Sequence, residues 1–139
     1  MTYDTNNVFA KMLRGEIPCI KIYEDEFTLA FLDIMPQAEG HTLVIPKAAA
    51  EDLFDLEPDM ASALIRTTQK VAKAVKKAVQ TAGVMVVQLN GAAAGQSVFH
   101  IHFHIIPRQK GIDLNMHAKD QADLGKLQDI AVKIRAALN

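Results

Sequence analysis

The sequence has one cysteine, Cys19, and no tryptophan. A single thiol forms no internal disulfide and supplies no multi-cysteine zinc site, so neither brace is available to this chain. Charge of one sign is also missing: 15 Lys+Arg stand against 16 Asp+Glu, a net charge of −1. That excludes a general DNA- or RNA-coating surface, which rests on a basic excess, and leaves room for a pocket that holds one phosphate. No apolar run approaches the ~18 residues that span a bilayer. The polar start, Met1 to Asn7, lacks the basic-then-apolar pattern of a signal peptide. Internal repeats and low-complexity linkers are absent as well. The expectation is a cytoplasmic protein with neither a membrane nor a nucleic-acid partner. At 139 residues, 50% hydrophobic and 22% charged, the chain suits one packed domain over 1–139.

What is present reads as alternating short strands and amphipathic helices. Val8, Phe9, Met12 and Leu13 fall at helical spacing, with Asn6 or Asn7 as cap and Gly15 as terminator. After Pro18, Ile20 to Tyr23 alternates as a strand, Asp25 and Glu26 suit a turn, and Thr28 to Asp33 returns antiparallel. Thr42 to Pro46 is mostly apolar, which predicts a central, buried strand. Pro58 and Asp59 open a long helix to about Gln80, with Ala61, Leu64, Ile65, Val71, Ala72, Val75 and Val79 on one face. Its lysines form a solvated face, and Gly83 is expected to end it. Val84 to Leu89 is a fourth strand and Ser97 to Ile106 a fifth, closed by Pro107 and Arg108. Leu114 to Ala118 reads as neither helix nor strand. Ala122 to Leu138 is a last helix with Leu124, Leu127, Ile130, Ile134 and Leu138 near one face. Strands on both sides of one long helix predict an antiparallel α+β domain.

His100, His102 and His104 are three of five histidines, at strict alternation. On an extended chain they share one face, with Ile101, Phe103 and Ile105 on the other. Three readings stand. The face is exposed and carries histidines incidentally. It binds zinc, with His41 completing the set. It performs nucleophilic catalysis, one imidazole attacking while neighbours fix its tautomer and serve the leaving group. The preceding loop, Asn90 to Gln96, favours the last. Gly91, Gly95 and three alanines let backbone N–H groups approach an anion, and Asn90, Gln96 and Ser97 add neutral donors.

The run His100-Ile101-His102-Phe103-His104-Ile105-Ile106 resembles the hallmark of the histidine triad (HIT) superfamily, His-φ-His-φ-His-φ-φ with φ apolar. The loop Ala94-Gly95-Gln96-Ser97 is similar too, as are Phe9-Ala10-Lys11, Gly15-Glu16-Ile17-Pro18, Tyr23-Glu24-Asp25, Leu29 to Ile34 and Gly40 to Lys47. The likeness runs from about Asn7 to Arg108 and is greatest to the small Hint-type and bacterial branch.

The resemblance implies a HIT-like fold: an antiparallel sheet of about five strands, one long helix and one or two shorter ones. Its core would span about 7–108, with a C-terminal helical extension over about 119–138. It implies a homodimer, with the Ala61–Val79 helix and the fourth strand near the interface. The implied reaction is hydrolysis of a nucleoside 5′-phosphoramidate or related conjugate, through a nucleotidyl-histidine, to a nucleoside monophosphate. A purine mononucleotide, AMP or GMP, is the implied ligand. A nucleotide sensor with little turnover and a dinucleoside polyphosphate hydrolase are the alternatives. His102 would be the nucleophile, His104 would hydrogen-bond the phosphate or leaving group, and His100 and His41 would hold the constellation. Ser97 would donate to the leaving group. Asp33 would take the ribose hydroxyls, Asn90, Gly95 and Gln96 the phosphate, and Phe9, Ile17, Phe31, Ile34 and Leu43 the base.

Many bacterial relatives carry a Cys-x-x-Cys that joins histidines around a structural zinc. The matching positions here are Asn7 and Ala10, so no structural zinc, catalytic metal or other cofactor is expected. Leu89 stands where some relatives have a phosphate-contacting amide, with Asn90 as a substitute. Cys19 reads as a structural thiol and His117 as a surface residue.

Overall fold

Asn7 starts the first helix, α1 (Val8–Leu13), because its side-chain oxygen accepts the Ala10 amide at 2.9 Å. Gly15, at φ +77°, then turns the chain away. This computed structural model describes residues 2–111 and 121–138. Strands β1 (Lys21–Glu24) and β2 (Thr28–Leu32) form a hairpin. Asp25 builds its turn by accepting the Phe27 and Thr28 amides at 2.9 and 2.8 Å. β3 (Thr42–Pro46), the long helix α2 (Pro58–Val79), β4 (Gly83–Gln88), β5 (Phe103–Arg108) and α3 (Leu124–Ala137) follow.

The five strands make one antiparallel sheet in the order β1-β2-β3-β5-β4. β2 and β3 are buried along their whole length, which is why both read as nearly continuous apolar runs. Ala30, Leu32, Val44 and Ile105 face α2 and α3, where they pack with Leu64, Val71, Val75, Leu127 and Ile134. Their strand neighbours Leu29, Phe31, Leu43 and Ile45 face the other way and are covered by Phe9 of α1. This second, smaller face holds the histidines. The α+β antiparallel architecture is therefore as expected.

Several boundaries differ. The fifth strand is expected from Ser97, but its ladder begins at Phe103, opposite Val44 of β3 and Gln88 of β4. Among the described residues no strand pairs with residues 97–102, which are held otherwise, Ile101 N–H donating to the Ala50 carbonyl at 2.9 Å. The long helix ends at Val79, close to the expected Gln80, but Gly83 is not what terminates it. Gln80 adopts the left-handed conformation, φ +52°, and its amide closes onto the Lys76 carbonyl. Gly83 instead opens β4. Ile65 and Leu124, expected on apolar faces, are 48% and 55% exposed. The last helix starts two positions late because Asp123 caps it, accepting the Gly125 amide at 3.2 Å. Residues 114–118, with His117, and the start of the C-terminal extension near 119 lie outside the described residues. No helix among the described residues is long and apolar enough to cross a membrane.

Candidate functional site

Four histidines meet on the α1 face of the sheet, and their partners fix which nitrogen carries each proton. A backbone carbonyl only accepts and a backbone amide only donates. His100 Nε2 lies 2.8 Å from the Pro46 carbonyl, so Nε2 carries the proton and donates. Its Nδ1 then accepts from the Tyr3 hydroxyl. His102 Nδ1 lies 2.8 Å from the His100 carbonyl, so Nδ1 carries the proton and Nε2 keeps a lone pair. The Gln37 amide donates to His41 Nδ1 at 3.0 Å, which puts the His41 proton on Nε2. That Nε2–H donates to His104 Nδ1 at 3.0 Å, leaving His104 with a proton on its own Nε2. Neighbouring rings, His102 and His104 with centroids 4.9 Å apart, thus offer one lone pair and one N–H.

Burial keeps all four imidazoles neutral. It lowers the pKa of His100 and His102, and takes His41 to about 4 and His104 to about 3, where the His102 charge would add repulsion. A neutral imidazole is the nucleophilic form. The face is therefore not an open, solvated one: His100 is 0% and His102 8% exposed.

A cavity of about 380 Å³ opens beside His104. Phe9, Ile17, Phe31, Ile34 and Leu43 all line it, together with Asp33 and Ser97. Phe9 and Phe31 pack edge to face at 5.4 Å, and Phe9 also stands over His102 at 4.9 Å. Asp33 accepts the Met35 amide at 2.9 Å through Oδ1, and its Oδ2 lies 3.7 Å from His41 Nε2. Burial pushes its carboxyl up, against the Met35 hydrogen bond.

The loop before the triad is built differently from expectation. Gln96 spends its whole amide on structure: Oε1 accepts Gly91 N–H at 2.7 Å, and Nε2 donates to the Glu51 and Val98 carbonyls. Asn90 accepts the Leu53 amide at 2.8 Å and pairs with Gln88 on both sides of its amide. The Ala94, Gly95 and Gln96 N–H groups fold back onto the Gly91 and Ala92 carbonyls. Asn90, Gly95 and Gln96, like His41, His100 and His102, are not among the residues that line the cavity, and the Ala94, Gly95 and Gln96 N–H groups are engaged within the turn. Only Ser97 of this group reaches the cavity.

Val8, Met12, Cys19, Gln37 and Val98 also line the cavity. Val8 and Met12 share Phe9's helix face at i, i+4 spacing, a signal that was available. Gln37, which sets the His41 tautomer through its backbone, left none. Burial pushes the Cys19 thiol up, so it stays protonated.

Asp33, His41 and His104 have possible ligand atoms within 4.8 Å of one another. A metal there needs the lone pair of His41 Nε2, and the Gln37 amide forces the proton onto that nitrogen. A zinc held from the N-terminus does not fit the donors either. Asn7 spends its oxygen capping α1, Ala10 has no donor, and both His100 nitrogens are engaged.

The HIT domain family model matches residues 14–111. Protein hit of Bacillus subtilis (strain 168) is 42% identical over 126 residues, covering 90% of this chain and 87% of that protein. Adenosine 5′-monophosphoramidase of Schizosaccharomyces pombe is 42% identical over 101 residues, 73% of each chain. The crystal structure of a HIT-like protein from Bartonella henselae superposes with a TM-score of 0.91 at 51% identity, covering 98% of this chain and 99% of that one.

Proposed function

The chain belongs to the HIT domain family, and from that premise we propose that it hydrolyses nucleoside 5′-phosphoramidates or related purine nucleotide conjugates to the monophosphate. The observation that carries this reading is the Nε2 lone pair of a neutral, buried His102, engaged by no partner among the described residues, whose other nitrogen is anchored. The name of the Schizosaccharomyces pombe relative supports the substrate class.

In the proposed cycle the base enters the slot between Phe9, Ile17, Phe31, Ile34 and Leu43, and Asp33 accepts the ribose hydroxyls. His102 Nε2 attacks the α-phosphorus and forms an N–P bond. The bond from phosphorus to the leaving nitrogen breaks, its electron pair departs with the nitrogen, and a proton from water reaches that nitrogen beside the Ser97 hydroxyl. His104 Nε2–H donates to a phosphate oxygen, where charge develops. A water then attacks phosphorus, the N–P pair returns to His102, and the water's proton goes to solvent. The monophosphate leaves with the enzyme regenerated. No metal takes part in this scheme.

The same reading includes a homodimer. β4 is a sheet edge, Val86 on it is 46% exposed, and Ile65 of α2 lies beside it around a shared depression. A Val86→Lys, Ile65→Glu double variant is expected to halve the mass seen by light scattering.

Turnover of adenosine 5′-phosphoramidate tests the enzymatic reading. AMP is expected, with a transient adenylyl adduct mapped to His102 by mass spectrometry after a non-acid quench. His102→Ala is expected to lose at least ~10³-fold in rate while calorimetry shows AMP binding intact. Undiminished turnover by that variant would falsify the assigned nucleophile. Binding without turnover in the unsubstituted chain replaces the hydrolase with a nucleotide sensor.

A further inference from the structure

His100 does no chemistry in this cycle. Its carbonyl, however, is the group that holds His102 Nδ1–H at 2.8 Å. The orientation of the nucleophile is thus inherited from His100. That residue is fully buried, and its ring is pinned at both nitrogens, by the Pro46 carbonyl on one side and the Tyr3 hydroxyl on the other.

Tyr3 reaches this point from the opposite end of the chain, 97 residues away. The segment that carries it is tied down. Arg14 Nη1 donates to the Thr5 carbonyl at 2.7 Å, and Asn7 Nδ2 donates to the Asp4 carbonyl at 2.8 Å. Its ring meets His100 edge to face at 5.7 Å, while Phe9 packs against both His100 and His102. Burial pushes the Tyr3 hydroxyl up, so at neutral pH it keeps its proton and is a donor.

We propose that Tyr3 is a positioning residue for His102, acting through His100. A buried imidazole nitrogen without a partner is costly, so removing the hydroxyl leaves His100 free to reorient or to take a different proton arrangement. Either change alters the ring's bond to the Pro46 carbonyl and its packing on Phe9, the contacts that hold the His100 backbone whose carbonyl aims His102. The hydrogen bond at stake is strongly directional, so a small rotation at His100 spreads the Nε2 lone pair over directions away from phosphorus. Tyr3 touches neither substrate nor reacting atoms and is expected to act on kcat rather than on binding.

This proposal rests on the hydrolase reading only for its kinetic arm. The other arm is imidazole nitrogen-15 NMR at neutral pH. In the unsubstituted chain, His100 is expected with Nε2 protonated and Nδ1 bare, and His102 with the reverse. In Tyr3→Phe, which keeps the ring, the His100 Nδ1 resonance is expected to move to its unbonded position, and the His102 Nδ1–H signal to weaken. With adenosine 5′-phosphoramidate, kcat is expected to fall about five- to tenfold, with KM little changed. A proton on His100 Nδ1 in the unsubstituted chain overturns the proposal without any variant. So does a Tyr3→Phe protein that loses thermal stability while the His102 resonances and kcat stay unchanged, since Tyr3 is then packing alone. If the resonances behave as stated and the unsubstituted chain turns nothing over, the hydrolase reading falls and the positioning role stands.

Discussion

Asp33 sits in a site whose burial disfavours its charge, and the Met35 amide opposes that. Two ribose hydroxyls would supply the missing donors, so substrate binding and the carboxylate support each other. Asp33→Asn keeps the shape but turns one acceptor into a donor. AMP affinity by calorimetry is expected to weaken about tenfold, with a smaller change in kcat. Unchanged affinity removes Asp33 from the ribose site. The histidines lead to a second expectation. Their pKa values are lowered by burial, so His102 stays neutral and nucleophilic in mild acid. A plot of kcat/KM against pH should remain level to below about pH 6, where an ordinary histidine already titrates. At this scale the triad and the apolar slot were legible, because alternation and helical spacing dictate which side chains share a face. The engagement of the Asn90 and Gln96 amides within the protein was not, because a side-chain amide pairs as readily with other protein groups as with a phosphate. Tyr3 was invisible, since no local pattern links position 3 to position 100.

Gly40, the residue before His41, lies against Val79 at the end of α2. At φ +90° it lies where side chains are strained, and an added Cβ would stand 3.0 Å from Val79 Cγ1 and 3.3 Å from Pro107 Cγ. Gly91 shares the strain, at φ +92°, but an added Cβ there meets nothing within 4 Å. Gly40→Ala is therefore expected to cost about 2–4 kcal/mol by urea unfolding and Gly91→Ala about 1 kcal/mol. Equal losses would mean that strain alone, and not the contact with α2, decides. The element pattern was legible where burial is uniform, as in β3, whose expected and observed spans coincide. It failed where an extended chain outlasts its partners. Residues 97–102 alternate like a strand because any extended backbone alternates, but a ladder exists only where β3 and β4 reach. The end of α2 near Gln80 was legible, but its cap was not: Gln80 itself takes the left-handed conformation that composition assigns to glycine.

Folding has to bury four imidazoles at once, and the whole molecule's pH dependence follows from that. In the unfolded chain a histidine titrates near 6.5. In the folded protein His41 titrates at about 4 and His104 at about 3, with His100 and His102 lowered as well. Above about pH 6.5 neither state binds these protons, and stability is level on their account. As pH falls below that value, the unfolded chain takes up protons that the folded one refuses. Stability is lost by about 1.4 kcal/mol per pH unit for each such imidazole, until the folded pKa is reached. Asp33 has the opposite sign, since burial raises its pKa, but it is one carboxyl set against four imidazoles and leaves the net trend downward. Surface pairs such as Lys47–Glu24 and Lys21–Glu24 are exposed and contribute little. Urea unfolding at pH 8, 7, 6 and 5 is therefore expected to give equal free energies at the first two and a steep fall across the last two. The fall should persist in high salt, because it reflects proton uptake by the unfolded chain and not screened surface attraction. A stability curve flat from pH 7 to 5 would mean that the four rings are not held neutral together, and the tautomer chain from Gln37 through His41 to His104 would fall with it.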